Sequence, residues 1–217
     1  MRHDAPFLLF QIWDAAFCLG EYLMFHHSDV LKNQSILELG AGTGMLGCWL
    51  AKALHNQGCH IVATDLPLLL DLMNRNIELN FSKTESTPLQ KKLGINNNHH
   101  ISETTTVESR VLTWGQKEEY PSDQVFEIII GSDIVTSLYD PYALAQTLYD
   151  LSSKNTRIYL SSKSRLDQPH VDFEEAVQKL FNNFVKLPCK SSRNICPNIF
   201  IIEISGKKET SSLNQSS

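Results

Sequence analysis

The feature that most constrains this chain is a glycine-rich turn between an apolar run and a helical pattern. Ser35-Ile-Leu-Glu-Leu39 is typical of a buried strand, and it leads directly into Gly40-Ala-Gly-Thr-Gly44. The apolar spacing of residues 45–54 predicts a helix after the turn. Glycines at a strand-to-helix junction allow a tight turn and let the backbone approach a ligand closely. The sequence therefore predicts a ligand-binding turn at the carboxyl end of a strand.

An acidic residue follows the turn at the distance that a nucleoside ligand requires. His60-Ile-Val-Ala-Thr64 predicts a second strand, and Asp65 closes it 21 residues after Gly44. A carboxylate there can accept hydrogen bonds from both ribose hydroxyls. Gly42-Thr-Gly44-Met-Leu-Gly47 also fits the dinucleotide fingerprint, so the glycines alone do not separate NAD from S-adenosylmethionine. Glu38 favours S-adenosylmethionine, because it stands where it can reach the amino acid end of that cofactor.

The rest of the chain continues to alternate between strand and helix patterns. Strands are predicted at 107–112, 126–130, 157–161 and 198–205, and helices at 13–27, 68–80, 141–151 and 169–184. This alternation predicts an α/β fold with a mostly parallel central sheet, helices on both faces and an antiparallel C-terminal strand. No second mononucleotide-binding half follows the first, which disfavours a nicotinamide cofactor.

Length and composition indicate one domain. The chain has 217 residues, 42% of them hydrophobic, enough for a single core. We expect one domain over residues 1–205, interrupted by a polar surface insertion at 82–106 and followed by a disordered tail at 206–217.

The net charge of -5 makes nucleic acid an unlikely partner. The apolar stretches fall short of the ~20 residues of a membrane span, so no membrane partner is expected. We also expect the protein to be a monomer.

The cysteine pattern argues against a disulfide framework and against zinc. There are five cysteines, an odd number, and no pair has Cys-x-x-Cys spacing. We therefore expect reduced cysteines and a cytoplasmic protein, with the nucleus as a second compartment. His99 and His100 have no neighbouring ligand at useful spacing, so no metal site is predicted.

Four motifs follow one another along the chain: Ile12-Trp-Asp-Ala-Ala16, Leu37-Glu-Leu-Gly-Ala-Gly-Thr-Gly44, Leu112-Thr-Trp-Gly-Gln116 and Ile130-Gly-Ser-Asp-Ile134. In this order they resemble the seven-strand protein-lysine methyltransferases, in particular the methyltransferase-like 21 group of methyltransferase family 16. The resemblance covers roughly residues 10–205. It implies a Rossmann-like seven-strand fold, S-adenosylmethionine as cofactor, and an acceptor lysine on a cytosolic protein such as a chaperone or a translation factor.

The resemblance also implies a cofactor-binding role for each matching position. Glu38, Gly40, Ala41 and Gly42 would lie at the methionine part, Asp65 would hold the ribose, Trp114 would pack beside the adenine, and Trp13 and Ser132 would complete the pocket. The residues alone leave other readings open. Trp13 and Trp114 are also compatible with core aromatics, and Asp133 with a helix cap.

On the acceptor side, the resemblance implies that Asp133 faces the methyl-transfer channel and binds the incoming ammonium. The family has an aromatic residue three positions after this acid, where this chain has Thr136. Tyr139 is the candidate to take over that role, as a hydroxyl acceptor or a cation–π face.

Two other functions stay open at the level of sequence. One is methyl transfer to a small molecule, a histidine or a nucleic-acid base. Gly131-Ser-Asp-Ile134 argues against bases, because base methylation usually goes with Asn-Pro-Pro-Tyr-like residues at this point. The other is a non-catalytic protein with this fold that acts through a partner.

Overall fold

The computed structural model describes residues 14–81, 105–163, 168–190 and 198–209. Trp13, nearly all of the expected insertion and the end of the expected tail lie outside these ranges. The strands are β1 (Ser35–Leu39), β2 (His60–Asp65), β3 (Thr106–Val111), β4 (Phe126–Ser132), β5 (Ser152–Lys163), β6 (Phe181–Pro188) and β7 (Ile199–Lys207). The helices are α1 (Asp14–His26), α2 (Ser28–Leu31), α3 (Met45–Ala53), α4 (Leu70–Phe81), α5 (Pro141–Leu151) and α6 (Gln168–Leu180), and 3-10 turns lie at Pro67–Leu69 and Lys117–Glu119.

These strands form one sheet in the order β3-β2-β1-β4-β5-β7-β6. Only β7 among them runs antiparallel, to β5 on one side and to β6 on the other. In the middle of the sheet Leu37 of β1 pairs with Val62 of β2 and with Ile129 of β4. The carboxyl ends of β1, β2 and β4 therefore meet at one edge. The predicted fold class, a mostly parallel sheet with an antiparallel C-terminal strand, is confirmed.

The two faces of the central strands bury different residues, as the two-residue period of a strand requires. Leu37 and Ile129 pack into a cluster with α5 and α6. Ile36 and Ile128 pack on the opposite face with α1 and α3. Burial on both faces is the reason that adjacent positions such as Ile36-Leu37 and Ile128-Ile129 are both apolar. The predicted helices on both faces are present.

The prediction is wrong at the C-terminal edge of the sheet, where one strand was missed. The helix predicted over 169–184 ends at Leu180, and β6 follows without a break. Phe173, Val177 and Phe181 recur every four residues, which continues the helical pattern into the strand. β6 is an edge strand, and Phe181 is its one buried residue. Its sequence therefore gives no strong strand signal. β7 ends at Lys207, two residues beyond the expected boundary of the tail.

The expectation that the cysteines are reduced is also wrong at one position. Cys18 forms a disulfide, whereas Cys48, Cys59 and Cys189 are free.

Among the described residues, no helix combines the length and the apolar character needed to span a bilayer.

Candidate active site

A cavity of about 600 Å³ opens where β1, β2 and β4 end. Its walls come from the glycine turn after β1, the end of β2, the segment after β3, and the loop from β4 to α5. It brings together nine predicted site residues: Glu38, Gly40, Ala41, Gly42, Asp65, Trp114, Ser132, Asp133 and Tyr139. The remaining one, Trp13, lies outside the described residues, and Ala16 of α1 reaches the cavity just after it.

The glycine turn has a backbone that side chains rarely allow. Gly40, Gly42 and Gly44 have φ angles of 63°, 58° and 73°, all in the left-handed region. A Cβ atom on Gly40 would lie 2.6 Å from Cγ2 of Ile134 and 3.4 Å from the indole of Trp114. Conformation and space therefore both require glycine at position 40, and the turn presents bare backbone to the cavity.

Asp65 ties the end of β2 to this turn. Its Oδ2 accepts a hydrogen bond from the Gly42 N–H at 2.7 Å, and its Oδ1 accepts one from the Leu66 N–H at 2.7 Å. The N–H of Ala41 donates to the Thr64 carbonyl at 3.0 Å. Burial raises the pKa of Asp65, and the two backbone hydrogen bonds oppose that rise. Each carboxylate oxygen has a second lone pair, so Asp65 can still accept hydrogen bonds from a ligand.

Glu38 lines the floor of the cavity but is only 1% exposed. Its Oε2 accepts a hydrogen bond from the Gly47 N–H at 2.9 Å, in the first turns of α3. Burial raises the pKa of Glu38 to about 8, against that hydrogen bond and with help from the charge of Asp65. Glu38 therefore supports the helix after the turn as well as facing the cavity.

Trp114 is held by hydrogen bonds of the residues on both sides of it. The N–H of Thr113 donates to Oε2 of Glu119 at 2.7 Å, and the N–H of Gly115 donates to Oγ1 of Thr147 at 3.0 Å. The indole is partly buried and packs against the core cluster beneath α5. Trp114 therefore packs against the core and also lines the cavity, and its place beside the adenine stays a prediction.

Asp133 is fixed against the end of β5. Its N–H donates to the Ser161 carbonyl at 2.7 Å, and its Oδ1 accepts from the Lys163 N–H at 3.3 Å. Its φ of 53° is left-handed, a conformation that Asp tolerates better than most residues. The alternative of a helix cap is wrong, because Asp140 caps α5 and accepts from the Tyr142 N–H at 2.9 Å.

Sequence reasoning missed part of the wall. The additional residues that line the cavity include Thr43, Met45, Leu66, Leu112, Thr113, Ile134, Ser137, Leu138 and Ala143. Several of them adjoin a predicted residue in the chain, and that adjacency was the only signal available. Ser137 and Leu138, in the loop before α5, carry no motif, because their place depends on how that loop folds back over the sheet.

This sheet order, with a glycine turn and an acidic strand end at one cavity, defines the class of Rossmann-like methyltransferases. A solved structure of similar fold is a TehB-like SAM-dependent methyltransferase from Corynebacterium glutamicum. It aligns with a TM-score of 0.58 over 88% of each chain at 14% identity, which establishes the fold only.

Within that class, the chain belongs to the lysine methyltransferase family, whose model matches residues 9–183. Two curated relatives, both from Xenopus tropicalis, are EEF1A lysine methyltransferase 3 and the protein N-lysine methyltransferase METTL21A. The first is 33% identical over 75% of this chain and 61% of its own length. The second is 32% identical over 78% of this chain and 67% of its own length. The chain thus spans roughly two thirds or less of these relatives.

Proposed function

We propose that this chain is an S-adenosylmethionine-dependent protein-lysine N-methyltransferase. The observation that carries the proposal is that, in a member of the lysine methyltransferase family, the glycine turn, Asp65, Trp114 and Asp133 line one cavity. The names of both relatives describe lysine methylation, in one case of EEF1A. The proposed acceptor is therefore a protein such as a translation factor or a chaperone, and the proposed compartments are the cytoplasm and the nucleus.

The residues around the cavity fit this cofactor. Left-handed Gly40 and Gly42 leave room for the methionine part, Asp65 accepts from ribose hydroxyls, and Trp114 offers a flat face to the adenine. Ser132 and Glu38 line the same cavity, and the role of Trp13 stays a prediction. When bound, the cofactor supplies an electrophilic methyl group on a positively charged sulfur.

Asp133 is proposed to bind and orient the acceptor amine. Its anchoring to the end of β5 keeps the carboxylate at the cavity wall. The amine must lose a proton before it can attack, since an unperturbed lysine has a pKa of about 10.4. Desolvation in the cavity and a neighbouring positive charge both lower that pKa. The proton leaves to water, and Asp133 holds the amine in line for transfer.

The test combines binding with transfer. S-adenosylhomocysteine is titrated calorimetrically into the wild type, Asp65→Ala and Asp133→Asn, and labelled methyl transfer to lysate proteins is then measured with the same three proteins. Asparagine is used at position 133 because it tolerates the left-handed backbone. We expect Asp65→Ala to lose cofactor affinity, and Asp133→Asn to keep it while losing transfer at least 100-fold, about the lower range for a positioned catalytic group.

Each other outcome rejects a defined part of the proposal. Full transfer by Asp133→Asn would reject the role of that carboxylate. Cofactor binding by the wild type without transfer to any protein would favour the non-catalytic function. Label on small molecules or on histidine, identified by mass spectrometry, would move the activity to another acceptor. In a parallel titration of the wild type with NAD, tight binding of NAD instead of S-adenosylhomocysteine would reject the methyltransferase.

A further inference from the structure

Tyr139 packs against Trp114 on the wall of the cavity. Its ring faces that of Trp114 edge-on, with centroids 5.0 Å apart and planes at 66°. Burial and the negative charge of Asp65 both raise the pKa of its hydroxyl. The ring of Tyr139 therefore contacts the residue assigned to the adenine, and it lines the same cavity as the residue assigned to the ribose.

The sheet order separates this position from Asp133. Asp133 directly follows β4, whereas Asp65 ends β2 and Trp114 follows β3. One strand, β1, stands between β4 and β2, and two stand between β4 and β3. At about 4.8 Å between neighbouring strands, the end of β4 lies roughly 10 Å from the end of β2 and roughly 14 Å from the end of β3. The loop after β4 crosses toward β3 and brings Tyr139 to Trp114.

The turn that carries Tyr139 is held by its own hydrogen bonds. The hydroxyl of Thr136 accepts from the Leu138 N–H at 3.1 Å, and the N–H of Tyr139 donates to the Thr136 carbonyl at 3.4 Å. Thr136 thus shapes the loop that brings Tyr139 onto Trp114, in addition to standing where the family has an aromatic residue.

We infer that Tyr139 binds the nucleoside part of the cofactor, forming with Trp114 an aromatic wall around the adenosine, and does not contact the acceptor. The inference rests on the proposed function. A half-buried ring on a loop adds apolar contact to a bound nucleoside and excludes water from the ribose contact of Asp65. Tyr139 is then a determinant of cofactor affinity, and acceptor recognition rests on other residues.

The experiment compares Tyr139→Ala and Tyr139→Phe with Tyr142→Ala, which removes an exposed aromatic three residues away that does not line the cavity. Affinities for S-adenosylhomocysteine and for 5′-methylthioadenosine, which lacks the amino acid part, are measured by calorimetry. We expect Tyr139→Ala to weaken both ligands by the same factor, about tenfold, and Tyr139→Phe to stay within about threefold because the ring remains. Tyr142→Ala should bind both as the wild type does.

The result that overturns the inference is unchanged affinity of Tyr139→Ala for both ligands, above all if its KM for the protein acceptor rises. A wild type that binds neither ligand would overturn the proposed function and this inference with it, so the two failures are distinguishable. Thermal melts check that the variants fold. If Tyr139→Ala does not fold, Tyr139→Leu, which keeps bulk but removes the aromatic face, gives the same comparison.

Discussion

Two carboxyl groups at the site are buried, Glu38 at 1% and Asp65 at 9% exposure. Burial disfavours the charged form, so the pKa of both groups is raised. Burial raises the pKa of Glu38 from its ordinary 4.5 to about 8. Between these two pH values the folded protein therefore holds a proton that the unfolded chain has lost. The free energy of unfolding therefore falls as the pH rises from about 4.5 to about 8, and the contribution of Glu38 is constant above it.

Glu38→Gln should remove this part of the pH dependence, because glutamine keeps the shape and the acceptor for the Gly47 N–H but never ionises. We expect the variant and the wild type to be similarly stable near pH 5, and the variant to become more stable as the pH approaches 8. Urea unfolding at several pH values measures the difference. Asp65 remains in both proteins, so its titration differs between them only through its interaction with the charge of Glu38. Parallel curves would contradict the raised pKa of Glu38.

The sequence predicted these two acids from their spacing, but it could not predict their burial or their partners. Gly47 illustrates the limit. Gly47 is the last glycine of a dinucleotide-like pattern, so the sequence made NAD and S-adenosylmethionine equally compatible with it as cofactors. The structure gives it a local reason, since a Cβ atom there would lie 2.8 Å from Oε2 of Glu38. Tyr139 is a second case, because only the folded loop brings it next to Trp114.

Among the elements, the strands and helices that carry the site were predictable and the edge strand was not. β1, β2 and β4 are short, apolar and bounded by glycine or acid, so local pattern identifies them. α5 has Pro141 in its first turn and matches the predicted limits. β6 is paired with β7, the next strand along the chain, and the helical spacing of its apolar residues does not report that pairing.

Phe181 anchors β6 to the core and gives a test of that element. It is 2% exposed and meets the ring of Tyr149 edge-on, with centroids 6.0 Å apart. Phe181→Ala should lower the free energy of unfolding by about 3 to 5 kcal/mol, the usual cost of emptying a buried phenylalanine site. Val185, on the same strand, is 45% exposed, and Val185→Ala should change stability by no more than about 0.5 kcal/mol. Similar losses in the two variants, measured by chemical denaturation, would contradict the burial pattern of β6.

At the scale of the whole molecule, the sheet brings together residues that are far apart in the chain. Glu38, Asp65, Trp114 and Asp133 come from four separate segments and meet at one cavity because parallel strands end at the same edge. That rule is general, which is why the sequence could place these residues together at one end of the sheet. The full set of residues that line the cavity did not follow from the sequence, because it depends on loops whose path is set by contacts across the cavity.

A cavity built from segments that meet only in the folded state should link ligand binding to global stability. A ligand that binds only the native protein stabilises it by about 2.7 kcal/mol at 100 times its Kd. For a domain of this size each kcal/mol moves the Tm by roughly 2–4 °C, so S-adenosylhomocysteine should raise the Tm by about 5 to 10 °C. Asp65→Ala, measured at the same ligand concentration, should show little of this rise, because Asp65 holds both the glycine turn and the proposed ribose site. A full rise in Asp65→Ala would mean that the ligand stabilises the fold from another place. An equal rise with NAD would mean that the protein does not select S-adenosylhomocysteine.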